Sequence, residues 1–191
     1  MGFSEWKLFS FREVEIDDAK LLLNWRTKSR ITKYMTSDVS HDIEAQKNWL
    51  KGSLEKSDSY HWISRYKNKD IGLMSLLNYK PEIKETSWGY YIGEDDALGY
   101  GGLIPPYFYN FVFNELNIEK IKAWVFFDNL KIIQMHLMHG YVFEPAEDHT
   151  IVKDGKNVLI LCLILKKDKF ESSKYNRFKN DFPMTKWKNR H

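Results

Sequence analysis

With one cysteine in 191 residues, the chain cannot form an internal disulfide or a cysteine-rich zinc site. Cys162 lies inside the apolar run Val158–Leu165, which suits a reducing compartment. That eight-residue run is the longest clearly apolar one, whereas a membrane helix needs about 20 residues, so no spanning helix and no membrane partner are expected. The N-terminus lacks the basic-then-apolar pattern of a signal peptide, and Met1-Gly2 fails the myristoylation pattern because Trp6 stands where Ser or Thr is required. A cytoplasmic protein is the expectation. The six histidines show no HExxH or paired-ligand spacing, so no metal is expected. No GxSxG elbow is present and Cys162 sits mid-strand, which disfavours an acyl-enzyme.

Apolar residues make up 43% of the chain and charged residues 29%, enough to bury a core and stay soluble. Aromatic residues reach 16%, supplying large buried areas or pockets for flat and sugar-like ligands. The net charge of +3 is unevenly placed. From Lys166 onward nine Lys/Arg face three Asp/Glu, leaving 20 against 23 in a mildly acidic body. This tail also carries Phe170, Tyr175, Phe178, Phe182 and Trp187. Basic residues interleaved with aromatics can bind nucleic acid, but a dedicated binder usually has a basic core too. The tail is therefore expected to pack its rings on the body, or on a second copy in a homodimer. The division expected is a domain over residues 1–166 and a basic, aromatic extension over 167–191.

Periodicity predicts a strand over Leu8–Val14, then a helix capped by Asp17 and carrying Ala19, Leu22, Leu23 and Trp25. A second helical stretch covers Arg30–Met35. A third starts at Asp42, with Ala45, Trp49 and Leu50 on one stripe. Strands Tyr60–Tyr66, Ile71–Tyr79 and Glu85–Ile92 have short connections that imply antiparallel hairpins. After the cluster Gly99-Tyr100-Gly101-Gly102 come a helix beginning near Leu103, a strand over Glu119–Phe127, and a helix from Asn129 to His139 stopped by Gly140. Two strands joined at Lys153-Asp154-Gly155-Lys156 complete the order βααα-βββ-αβα-ββ. The fold class is α/β, a single mixed sheet with helices on its faces.

The junction of strand, glycine loop and helix over Trp88–Phe113 is the most informative local feature. Helix N-termini favour phosphate groups, and glycines let a ligand approach the backbone. The spacing satisfies neither GxGxxG nor GxxxxGK[ST], so a tight structural turn accounts for it as well as an anion site does.

The order of elements and several segments resemble the GNAT superfamily of acetyl-CoA-dependent N-acetyltransferases. The carriers are Trp88-Gly89-Tyr90-Tyr91-Ile92-Gly93, the loop Gly99–Gly102, and Asp128–Ile133 running on to Gly140-Tyr141. Upstream, Asn24-Trp25-Arg26, Tyr34-Met35 and Asp42–Trp49 resemble the branch that holds ribosomal-protein N-terminal acetyltransferases and the nucleotide-aminosugar N-acetyltransferases of the pseudaminic acid pathway.

The resemblance implies a largely antiparallel twisted sheet of about seven strands with helices on both faces. It also implies acetyl-CoA as co-substrate, its diphosphate held by backbone N–H groups of Gly99, Tyr100, Gly101, Gly102 and Leu103. Tyr91, Ile92 and Gly93 would offer free backbone groups to the acetyl carbonyl and pantetheine, and Asn129 would contact the coenzyme arm or cap its helix. His136 stands where the family commonly has the Tyr that protonates the departing thiolate; on its stripe with Ile132 it reads equally as a packed core residue. Glu85, Glu94 and His41 are nominees for collecting the amine proton. Trp25, Met35, Gln46, Trp88, Tyr90 and Trp124 are candidates for the acceptor pocket. The function implied is acetyl transfer to the primary amine of a small acceptor, a nucleotide-linked aminosugar. A protein N-terminus as acceptor and a GNAT-like binding module without catalysis are the alternatives.

Overall fold

The computed structural model describes residues 8–37 and 39–185. Trp6, Trp187 and His191 lie outside them. The strands are β1 (Phe9–Glu13), β2 (Tyr60–Tyr66), β3 (Lys69–Lys80), β4 (Glu85–Ile92), β5 (Lys120–Phe126), β6 (Val142–Phe143), β7 (His149–Lys153) and β8 (Lys156–Lys166). They form one sheet in the order β1-β2-β3-β4-β5-β8-β6, with β7 also paired to β8. Every pairing is antiparallel except β4 with β5. Two of the antiparallel pairings, β2–β3 and β7–β8, are tight hairpins: Lys67 and Asn68, and again Asp154 and Gly155, take the positive φ that a two-residue turn between antiparallel strands requires. The strand beyond the seven expected is β6, whose two exposed residues offer no alternation to read.

Helices α1 (Ala19–Arg26), α2 (Ser29–Thr32) and α3 (Ile43–Glu55) cover one face; α4 (Pro105–Asn114), α5 (Leu130–Met138) and α6 (Lys167–Glu171) belong to the other. Strand alternation divides the core accordingly. The cross-strand rows Tyr60/Leu76/Trp88 and Trp62/Met74 point to α4, whose Phe108, Val112 and Phe113 are fully buried. The row Ile63/Leu73 points the opposite way, against Leu22, Trp25 and Leu50. Pro105 and Pro106 open α4, where their missing N–H groups break no helical bond.

Two helix readings are corrected. Asp17 does not cap α1: a 3-10 turn over Ile16–Asp18 precedes it, and Asp18 Oδ2 accepts from the Glu15 N–H at 2.8 Å. Asp42 does cap α3, accepting from the Glu44 N–H at 2.9 Å, but the buried stripe is Gln46, Leu50 and Ser53, leaving Ala45 and Trp49 exposed. Polar residues take the inward positions because each finds a partner there, Gln46 with Arg26 and Ser53 with His61.

The basic tail folds back on the body as far as Thr185. Phe170 is fully buried, and Phe182 stacks on Phe11 (centroids 4.0 Å apart) and Phe111 (4.7 Å). The Trp62 Nε1–H donates to the Pro183 carbonyl at 2.7 Å, and Asn180 Nδ2–H to the Phe9 carbonyl at 2.7 Å. Phe182→Ala should therefore cost about 3 kcal/mol of unfolding free energy in urea denaturation, as for a core phenylalanine. A loss below about 0.5 kcal/mol, the range of ordinary surface changes, would show an arm that contributes nothing to the fold.

Candidate active site

Strands β4 and β5 are in register only from Glu85/Lys120 to Ser87/Lys122, and then diverge. From Trp88 onward, the side of β4 that faces β5 keeps backbone groups without a strand partner. The closed end is clipped by Glu85, which holds Lys120 Nζ at 2.6 Å and Lys122 Nζ at 2.7 Å. Burial would raise the Glu85 carboxyl, but hydrogen bonds from Lys120 and Lys122 outweigh it and leave the group below its usual range. The open end leads into two cavities that share Tyr34, Trp88, Gly89, Tyr90, Trp124 and Phe126.

The smaller cavity, about 190 Å³, lies toward α5 and is lined by Asn129, Ile132, Met135 and His136. Asn129 is the residue before α5, yet its side chain makes no cap bond and is left for the cleft. His136 packs edge-on to Trp88 (5.6 Å) and against Tyr141 (4.7 Å), with Nδ1 buried and without a partner among the described residues. Burial, aided by nearby His139, pushes its pKa down to about 3, so it is a neutral imidazole at neutral pH. It can offer an N–H hydrogen bond but holds no surplus proton.

The glycine loop leaves a 3-10 turn over Asp95–Tyr100 and enters α4. Its own turns use two of the expected donors: the Gly101 N–H bonds Leu98 O at 3.2 Å and the Leu103 N–H bonds Tyr100 O at 2.9 Å. The Gly102 N–H takes no part in these backbone bonds, and the Gly102 carbonyl accepts from His139 Nε2 at 3.0 Å. A Cβ on Gly99 would meet nothing within 4 Å and one on Gly102 only Met135 at 4.0 Å, so the loop surface stays open. Tyr100 stacks on Tyr66 at 4.4 Å. These features fit a coenzyme arm: an unpaired strand edge, a free asparagine and an open glycine loop.

The end of β4 is less free than expected. The Gly93 N–H bonds Ile71 O, its carbonyl accepts from Lys28 Nζ and Arg30 Nη2 (both 2.8 Å), and the Ile92 carbonyl accepts from Arg30 Nη1 at 2.6 Å. Gly93 is needed for packing, because a Cβ there would lie 2.1 Å from the Trp25 ring.

The larger cavity, about 860 Å³, lies on the α1/α3 side. Met35, Trp88, Tyr90 and Trp124 line it, as does Tyr91. Trp25 does not: it is 1% exposed in the core and its Nε1–H donates to Glu94 Oε1 at 2.7 Å. Gln46 is buried behind the cavity wall and holds Arg26 Nη1 at 2.8 Å. Neither Glu85, Glu94 nor His41 lines either cavity.

Arg26, 3% exposed, lines the large cavity between Gln46 and the Trp49 ring, 3.9 Å from its guanidinium. Among the described residues it has no carboxylate partner, and its Nε is unbonded. Burial pulls its pKa down, countered by Tyr91. Serine and histidine side chains complete the floor, with His61 bonded to Ser53 and Ser75. Sequence reasoning missed Arg26, Ser53, His61 and Ser75 as site residues. The signal available was polar side chains at inward positions of otherwise apolar strands and helices.

The acetyltransferase (GNAT) domain family matches residues 9–142, and the chain belongs to that family. It is an acetyl-CoA-dependent N-acetyltransferase. Two curated relatives, both named acetyltransferase PseH and from two Campylobacter jejuni strains, are 23% identical over 157 residues, covering 82% of this chain and 92% of each relative. Vibrio cholerae spermidine N-acetyltransferase in complex with CoA and spermine superposes with a TM-score of 0.75 at 16% identity, covering 85% of this chain and 98% of that one. A chimera of that enzyme with hSSAT gives a TM-score of 0.74, also at 16%, covering 87% and 100%. At these identities the structures establish the shared fold. Among the described residues, no helix is long and apolar enough to cross a membrane, and no cluster of three His, Cys, Asp or Glu could hold a metal.

Burial pushes His61, His136 and His139 to about 4, 3 and 4, whereas an unfolded histidine titrates near 6.5. Between these values the unfolded chain binds more protons than the folded one, so stability falls as pH drops below about 6.5 toward 4. Urea unfolding at pH 7.5, 5.5 and 4.5 should show this loss, and His136→Phe should flatten it. Equal slopes in the two proteins would mean His136 already titrates normally.

Proposed function

We propose that the enzyme acetylates the primary amine of a nucleotide-linked aminosugar, with the acceptor in the large cavity. The observation that carries this reading is the buried Arg26, without a carboxylate partner, in a wall of aromatic rings. None of the described lining residues is Asp or Glu; the charged ones are Arg26 and Lys56. A polyamine would meet no counter-charge there. A nucleotide-sugar brings an anionic diphosphate for Arg26 and flat rings for Trp49 and Trp124. The upstream segments that resemble the nucleotide-aminosugar enzymes support the same acceptor.

Transfer is direct. Cys162 is buried, its thiol pushed up to about 11 chiefly by burial, and no other nucleophile of the cysteine kind exists. The unpaired edge of β4 supplies N–H donors to the thioester carbonyl, where negative charge develops as the amine attacks. Asn129 and Gly102 hold the coenzyme arm. His136, as a neutral imidazole, donates a hydrogen bond to the departing sulfur. The cavities meet at Gly89 and Trp88, which brings the two substrates into contact at the splay.

Thiol release measured with UDP-linked aminosugars, spermidine and N-terminal peptides should show turnover with the sugar nucleotides. Turnover confined to spermidine or to peptides would overturn the acceptor assignment. Coenzyme binding with no turnover on any amine would favour a binding module. Arg26→Met should raise the KM for the sugar nucleotide by about tenfold or more, the equivalent of one lost charge-assisted bond, and leave coenzyme affinity unchanged. His136→Phe should lower kcat by about tenfold to a hundredfold, with coenzyme affinity within about twofold.

A further inference from the structure

None of the carboxylates nominated as base reaches the cleft, yet the attacking amine must lose a proton. A polar row crosses the sheet where that proton is released. His61 on β2 pairs with Ser75 on β3, and Ser75 with Gly89 on β4, so all three share the face that carries the large cavity. Gly89 lines both cavities and marks the meeting point of thioester and amine. It has no side chain, so the Ser75 hydroxyl is the first polar side chain beside that point on this row. Behind Ser75 the contacts continue: Ser75 Oγ lies 2.8 Å from His61 Nδ1, and His61 Nε2 lies 2.8 Å from Ser53 Oγ on α3. Ser53, His61 and Ser75 all line the cavity.

Both ring nitrogens of His61 are committed to hydroxyl groups, each of which can donate and accept. Among the described residues no carboxylate bonds the ring; the charged group it senses is Lys56 at the end of α3, and Arg26 lies in the same cavity wall. Burial holds the ring neutral, with its pKa near 4, so it cannot store a proton at neutral pH. It can pass one on.

We propose that Ser75 takes the proton from the acceptor amine, with His61 and Ser53 behind it as a relay that delivers a proton to the water side of the cavity. This deepens the transferase reading above and rests on it. The amine nitrogen forms a bond to the acetyl carbonyl carbon, and the carbon–sulfur bond breaks with its electron pair on sulfur. The nitrogen proton passes to Ser75 Oγ as the Ser75 proton moves to His61 Nδ1. The proton on His61 Nε2 moves to Ser53 Oγ, and the Ser53 proton leaves to water. The sulfur, as thiolate, gains a proton from solvent, so the products are the amide and free coenzyme thiol. The two serines and the imidazole end with the protons they began with after the ring returns to its first tautomer. Ser75 is the catalytic group, and His61 and Ser53 are positioning residues that act through it.

The test uses the full chain with whichever amine the wild type acetylates best. Ser75→Ala should lower kcat at least tenfold with the acceptor KM within about twofold. Added imidazole buffer should restore part of the rate, since a mobile base replaces the missing hydroxyl. His61→Gln can still bridge both serines through its amide but cannot relay, and should share the lower kcat. It should also lose the multi-proton curvature of the wild-type rate in mixed H₂O and D₂O. Ser53→Ala leaves the His61–Ser75 bond intact, so it keeps the test open if the other variants misfold; it should lower kcat less. Wild-type kcat, isotope curvature and pH profile in folded Ser75→Ala and Ser53→Ala would overturn the relay while leaving the transferase standing. A wild type inert toward every amine would instead overturn the transferase reading itself.

Discussion

Strands β4 and β5 run in parallel for three residue pairs and then part, and the chemistry of the molecule depends on that separation. In an otherwise continuous sheet it creates a strand edge whose backbone groups have no strand partner among the described residues, which is costly unless a ligand or water supplies one. The Glu85 clip to Lys120 and Lys122 holds one end shut. At the other end α5 places His136 and Asn129 beside the gap. Edge, clip and helix together frame the slot proposed for the thioester.

In the proposed arrangement the two faces serve different partners because strand residues alternate. Trp88 points to α4 and α5, stacking near Phe108 at 5.6 Å, and belongs to the apolar layer on the proposed coenzyme side. One residue along, Gly89 joins the row of Ser75 and His61 on the acceptor side. A shift of one residue in register would exchange these faces and abolish both sites. Polar side chains in that row are tolerated because they are bonded, His61 holding Ser75 on one ring nitrogen and Ser53 on the other. Arg26 is the departure, since its guanidinium is buried with hydrogen bonds but no counter-charge among the described residues.

The high aromatic content is mostly spent on the core. Phe11, Trp62, Phe108, Phe111 and Phe182 form one ring cluster that joins β1, β2, α4 and the returning tail. His139 ties this layer to the glycine loop, bonding the Gly102 carbonyl while packing on Tyr175 at 4.9 Å. In the described part of the tail Lys174, Arg177 and Lys179 are exposed while Phe170 and Phe182 are buried and Tyr175 and Phe178 half-buried, so rings packed inward and charges left outside produce the pattern that resembled a nucleic-acid arm.

Alternation and turn chemistry placed most elements in the sequence: β2, β3 and β4 as hairpins, the glycine loop before α4, and Gly140 ending α5 at a positive φ of 97°. Residues of the segments Trp88–Gly93 and Asn129–His136 line the smaller cavity, and their strand edge and helix start are local features that a sequence can show. The acceptor side was not legible in the same way. Trp25 and Gln46 have the look of pocket residues, yet Trp25 is core and Gln46 lies behind the wall bonded to Arg26, while Ser53 and His61 look like incidental polar residues and face inward. Which face a polar side chain takes depends on finding a partner contributed by another element, as Ser53 on α3 finds His61 on β2. Such pairings join residues distant in the chain or on different elements, so only the assembled sheet and helices decided them.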